Sequence, residues 1–191
     1  LFEHIIYSET VKHLESINFL TPSQHGFRNR CSCVTKLVEF QHYIAQSIDS
    51  GAQVDAVFLD FRKAFDTVPH NLLEFAMLSA NINLKIINWV KNYLNDRQQN
   101  EVLNGSKSSA QQNEVLNGSK SSAVTVTSGV PQGSVLGPFL FLIYINSIVD
   151  GITSPIKLFA DDCVVFRVIK SHKDAEILQQ DRYRISTWCQ K

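Results

Sequence analysis

Three aspartates stand where a carboxylate is costly or awkward. Asp60 closes the apolar run VDAVFLDF. Turned toward a core, its carboxylate costs several kcal/mol unless it is paired or bound to metal. A simple cap at the strand end is the competing explanation. Asp161 and Asp162 adjoin one another in KLFADDCVVF, between two further apolar runs. Neighbouring carboxylates repel, and a tight hairpin ordinarily turns on Asn-Gly or Asp-Gly instead. A divalent cation would neutralise the pair, and Mg²⁺ suits the role because it takes oxygen ligands and shares them with substrate phosphates. A solvated turn remains the alternative. Combined, one aspartate at a strand end and an aspartate pair in a hairpin bring carboxylates to one sheet edge. Such a set holds two metals ~4 Å apart and clamps the attacking and leaving oxygens of a phosphoryl transfer. Asp66 precedes Thr67-Val68-Pro69 and reads as the cap of the next helix.

Between these aspartates lies the loop SGVPQGSVLGP. Gly129, Gly133 and Gly137 allow backbone to approach a ligand closely, and the helix start that follows favours phosphate. An ordinary loop and cap explain the segment equally well.

The elements that must position these residues follow from hydrophobic period. Residues 1–18 carry Leu1, Ile5, Val11, Leu14 and Ile17 at helical spacing. A polar, basic stretch from Gln24 to Arg30 follows, then a second helix from Ser32 to about Ser50, ended by Gly51. VDAVFLDF reads as a strand covered on both faces. Helices are expected at 70–79 and 83–95, and VTVTSG alternates as a strand. FLFLIYINSIV reads as a buried helix, IKLFA and CVVFRVI as a hairpin flanking Asp161-Asp162, and 172–190 as a final helix. Helices alternating with strands, one strand pair being a hairpin, imply an α/β (α+β) fold with a mixed or antiparallel sheet packed on helices.

Composition sets the outer bounds. The chain has 191 residues, 44% hydrophobic and 19% charged, enough to bury a core and to exclude disorder. Eighteen basic residues balance 18 acidic ones, without the basic excess usual in a free-standing nucleic-acid binder. The four cysteines show no metal-ligand spacing, so reduced thiols in a cytoplasmic or nuclear protein are expected. No apolar run approaches the ~20 residues of a membrane span. The chain opens and closes inside helical patterns and reads as a fragment.

One feature is foreign to this pattern. QQNEVLNGSKSSA occupies 98–110 and recurs unchanged at 111–123. Two copies do not make a solenoid, which needs about three repeats to bury a core. The identity of the copies points to recent duplication or an assembly artefact, with 98–123 peripheral to the fold.

FLDFRKAFDTVPH, SGVPQGSVLGPFLFLIYIN and LFADDCVVF, in that order, resemble motifs A, B and C of a reverse transcriptase palm of the non-LTR (LINE-type) retrotransposon kind. QHGFRNRCSC resembles the fingers motif upstream of motif A. The resemblance implies a polymerase palm with a ferredoxin-like antiparallel sheet backed by helices at 52–191, part of the fingers at 1–51, and no thumb. It implies two Mg²⁺ ions, with Mn²⁺ as a substitute, held by Asp60, the Phe61 carbonyl, Asp161 and, less directly, Asp162. Phe65 matches the aromatic position that excludes a nucleotide 2′-OH, with plain core packing as its alternative. Gln132 and Gly133 match residues touching the incoming nucleotide and the template-side backbone. Arg28 or Arg30 matches the fingers arginine that binds triphosphate, though a solvated basic loop explains both. Cys163 is expected only to pack. The partners implied are an RNA template, a DNA primer and deoxynucleoside triphosphates.

Departures accompany the match. Ser147 stands where the family usually has Asp, the repeat lengthens the approach to motif B, and the motif D lysine, primer grip, thumb and endonuclease lie outside the sequence. A catalytically incompetent nucleic-acid-binding relic is therefore the rival to an active RNA-directed DNA polymerase. A metal-dependent phosphohydrolase fares worse, because no water-activating His or Glu stands near the aspartates.

Overall fold

A computed structural model describes residues 2–28, 31–95, 97–99 and 124–190. The chain runs α1 (Phe2–Ser16), α2 (Cys33–Asp49), β1 (Gln53–Asp60), α3 (His70–Ser79), α4 (Leu84–Leu94), β2 (Gln98–Gln99), β3 (Val124–Thr125), α5 (Leu136–Ile145) with a 3₁₀ turn to Val149, β4 (Ile156–Phe159), β5 (Asp162–Ile169) and α6 (His172–Trp188). The mixed α/β class and the antiparallel sheet expected from the sequence are both present. Arg30 and most of the repeat, 100–123, lie outside the described residues, and with them the expectation that the second copy is peripheral.

The main sheet has the order β1-β5-β4, all antiparallel. Its core face carries Val57, Leu59, Cys163, Val165, Ile156 and Leu158 against α5 and the helices around it. Helix α5 is apolar on every side and buried along nearly its whole length, as its sequence requires. Helix α2 covers part of the opposite face, where Phe40 meets Phe58 and Phe166 edge-on at 5.9 and 4.9 Å. Burial on both faces, expected for β1, belongs instead to the central strand: Cys163 to Phe166 are all buried. Strand β1 lies at the sheet edge and alternates, leaving Phe58 72% exposed. Its apolar run records a core on one face and a half-covered surface on the other.

Polar groups pin the periphery. Ser32 caps α2 through a reciprocal box with Thr35. Asp181 of α6 is fully buried and accepts from Thr153 N, Thr153 Oγ1 and Ser154 N at 3.2, 3.1 and 2.8 Å, tying the helix to the loop before β4. Sequence periodicity had assigned α6 its apolar face but not this buried carboxylate. Among the described residues no helix is long and apolar enough to cross a membrane.

Candidate active site

The antiparallel register sets Asp60 directly opposite Asp162, and Leu59 opposite Cys163. Opposed residues share a face, so Asp60 and Asp162 lie on the same face, and the pleat turns Leu59 and Cys163 into the core. Asp60 is exposed rather than core-facing, which removes the burial cost that first marked it. The β4–β5 turn consists of Ala160 and Asp161, one residue earlier than the Asp-Asp turn expected, with Asp162 already in β5.

Ala160 adopts φ +52°, a left-handed conformation that costs an alanine roughly 1 kcal/mol. Gln24 holds it there: Gln24 Oε1 accepts from Ala160 N at 3.0 Å and Gln24 Nε2 donates to Ala160 O at 3.2 Å. Gly26 N donates to the same Gln24 oxygen at 2.7 Å, and a Cβ on Gly26 would lie 2.2 Å from Ala160 N. The 23–25 segment also exchanges hydrogen bonds with Leu158 of β4, so it braces the hairpin from outside.

Asp161 is half-buried, and its carboxyl is pushed above the usual carboxylate range. Burial is the main cause, with the charges of Asp162 and Asp60 adding to it. Carboxylate repulsion alone, the cause the sequence suggested, is thus the lesser part. Among the described residues no three His, Cys, Asp or Glu side chains form a ready-made metal-binding group. The donor chemistry nevertheless fits a hard cation: all the candidates are oxygens, Asp161 is destabilised when ionised, and Mg²⁺ needs only one or two protein carboxylates plus phosphate and water. The Phe61 carbonyl accepts a long 3.3 Å bond from Ala64 N and keeps acceptor capacity to spare.

The loop before α5 is stitched to the segment after β1. Val130 N donates to Phe65 O at 2.7 Å, Gly129 N to Val68 O at 2.8 Å, and His70 Nε2 to Gly129 O at 2.9 Å. Gly129 has φ +88°, and a Cβ there would lie 2.6 Å from Asp66 O. Close approach is real at this glycine, but the neighbour is Asp66 rather than a ligand. Asp66 caps nothing: Pro69 is the N-cap of α3 and makes no side-chain bond, whereas Asp66 Oδ1 accepts from Gln132 Nε2 at 3.1 Å. The N-terminus of α5 is likewise committed. Glu3 Oε2 accepts from Val135 N and Leu136 N at 3.1 and 3.3 Å, and Ser134 Oγ accepts from Gly137 N at 2.9 Å. The phosphate expected at this helix start is pre-empted by a carboxylate from α1.

Phe65 is half-buried, stacked on Phe141 of α5 at 4.4 Å and edge-on to Phe27 at 6.3 Å. Arg28 spends one guanidinium nitrogen on Thr21 O at 2.7 Å. Gln132 and Gly133 are exposed. Cys163 packs as expected, 2% exposed, its thiol pushed up to about 12 by burial. Ser147 accepts from Trp188 Nε1 at 3.0 Å. A cavity of about 570 Å³ touches Asp60, Phe61, Arg62 and Trp188, but Asp161, Phe65 and Gln132 do not line it, so it is not where the candidates meet.

A small antiparallel sheet on a mixed α/β frame thus sets Asp60 opposite Asp162, with Asp161 in the adjoining turn. The pattern of the reverse transcriptase (RNA-dependent DNA polymerase) family matches residues 5–191, and the chain belongs to that family. It is 30% identical over 197 residues to a probable RNA-directed DNA polymerase from transposon X-element of Drosophila melanogaster, covering all of this chain and 20% of the relative. It is 26% identical to the RNA-directed DNA polymerase from mobile element jockey of the same fly, over 90% of this chain and 18% of the relative. It is 25% identical to the Pol polyprotein from type-1 retrotransposable element R2 of Popillia japonica, over 85% and 23%. The chain therefore spans about a fifth of the length of the relatives it matches.

Proposed function

We propose that this domain is the catalytic part of an RNA-directed DNA polymerase that adds deoxynucleotides to a primer 3′-OH. Residues 52–191 serve as its palm and 1–51 as part of its fingers. The primer 3′-oxygen bonds to the α-phosphorus of the incoming nucleotide as the bond to pyrophosphate breaks. Asp60 and Asp161 would hold divalent ions, with the Phe61 carbonyl and Asp162 beside them. When bound, such ions supply neutralising charge for the carboxylates and the triphosphate and favour an ionised 3′-OH.

The other roles belong to the chain itself. Phe65, fixed by Phe141 and Phe27, sits one residue from the Gln132 partner Asp66. A ring at that position excludes a 2′-OH, the group separating ribonucleotides from deoxynucleotides. Gln132 and Gly133 face the nucleotide, and the guanidinium nitrogens of Arg28 not used by Thr21 reach toward phosphate. Cys163 beneath Asp162 fills the core.

The observation that carries this reading is the register, Asp60 opposite Asp162 with Asp161 in the adjoining turn. Primer extension by the full-length parent on an RNA template, with and without Mg²⁺, tests it. Losing several kcal/mol of charge stabilisation, at about 1.4 kcal/mol per tenfold, predicts that Asp60→Asn or Asp161→Asn slows extension roughly 10³-fold or more. Extension that survives either substitution would remove these residues from the chemistry.

A further inference from the structure

Asp66 was expected to cap a helix, and the structure gives it a different task. Its backbone carbonyl accepts from Ser128 Oγ at 3.0 Å, and its side chain takes Gln132 Nε2 at 3.1 Å. Around that contact the two segments are locked in three further places, Phe65 to Val130, Val68 to Gly129 and His70 to Gly129. Gly129 has no space for a side chain because Asp66 fills it. The Asp66 carboxylate is thus delivered to Gln132 by a rigid frame.

An ionised carboxylate only accepts hydrogen bonds, whereas a glutamine amide has a donor end and an acceptor end. Asp66 therefore dictates which end Gln132 turns inward. With Nε2 spent on Asp66, the free end of this exposed side chain is the acceptor oxygen Oε1. We infer that Asp66 is a positioning residue that fixes the Gln132 amide so that it offers an acceptor, and hence selects a hydrogen-bond donor, on the incoming deoxynucleotide. The inference rests on the reading of Gln132 as a nucleotide-contacting residue. Neither the spacing of the motifs nor the family match assigns Asp66 this part.

Steady-state kinetics of the full-length parent, with poly(rA) template, oligo(dT) primer and varied dTTP, test it through a cycle of variants. Asp66→Asn keeps the shape but can face Gln132 with either end, so the amide loses its fixed polarity. The expected result is a KM for dTTP raised about tenfold with kcat within about twofold, an energy near that of one charge-assisted hydrogen bond. In a Gln132→Ala background, Asp66→Asn should change KM no further, because a residue acting through Gln132 has nothing left to act on. Multiplicative effects in the double variant, a loss confined to kcat, or wild-type kinetics in Asp66→Asn would each overturn the inference. Gln132→Ala with an unchanged KM would instead sink the reading of Gln132 as the nucleotide contact, and the inference with it. Thermal melts of each variant separate these outcomes from misfolding, and the Asn substitution keeps the cycle usable if Asp66→Ala does not fold.

Discussion

Asp161 pays for its position whenever it is ionised. Burial, then the charges of Asp162 and Asp60, raise its carboxyl above the ordinary value near 3.9. A raised acid contributes stability that is fully present below the unfolded value and is lost as pH climbs through the folded one. Asp161→Asn removes the ionisable group while keeping the shape. It should therefore melt at a higher temperature than wild type at pH 7, with the gain gone by about pH 3.5. Mg²⁺ should raise the wild-type melt and leave the variant nearly unmoved, because only a ligand of the folded state stabilises it. A variant that melts no higher at pH 7 would contradict the origin of the shift. Asp161 and Asp162 are legible in the sequence because two carboxylates in an apolar hairpin are chemically conspicuous. The task of Asp66 is not legible there, because an aspartate before Thr-Val-Pro satisfies a familiar local pattern while its partner lies 66 residues away.

At the scale of elements, the hairpin that carries Asp161 is braced by a loop rather than by a strand. Gln24 satisfies Ala160 N, Ala160 O and Gly26 N together. Gln24→Ala leaves these buried groups without that partner, at about 1–3 kcal/mol each before relaxation or water. Destabilisation of about 3 kcal/mol is expected by denaturant titration, and less than 1 kcal/mol would show the turn to be self-supporting. The helices and the hairpin were legible because each leaves a local record: the apolar period of α4 and α6, Ser32 before α2, Gly51 after it, the two apolar runs around Ala160. The brace was not. Gln24 and Ala160 are 136 residues apart, and a side-chain amide meeting a backbone leaves no period to read. Strand β1 shows the opposite error, since an apolar run states that a residue is apolar and not which neighbour covers it. Here α2 covers only part of one face, and Phe58, met edge-on by Phe40, stays largely exposed.

Across the whole molecule, the first two residues of the repeat are paired with the two that follow its second copy. Gln98 pairs with Thr125 and Gln99 with Val124, and Val126 N donates to Arg97 O at 3.0 Å. The ends of the intervening segment are closed against each other, and added length in a closed loop costs only ~0.6 kcal/mol per doubling. Deleting 111–123 should leave the unfolding free energy within about that amount, as read by denaturant titration. A cooperative loss of the fold would mean that the second copy has become part of the core. A different consequence follows from Cys163, whose sulfur lies under the sheet one residue from Asp162. A thiol at about 12 is ionised to roughly one part in ten thousand at pH 8, and the buried sulfur presents no surface to a reagent. Cys33 and Cys189 are exposed and Cys31 is half-buried, so an alkylating label should reach these three first. Cys163 should react only in molecules whose core has opened beneath the sheet, which makes its slow modification a stopwatch, built into the chain, for how often the floor under the aspartates gives way.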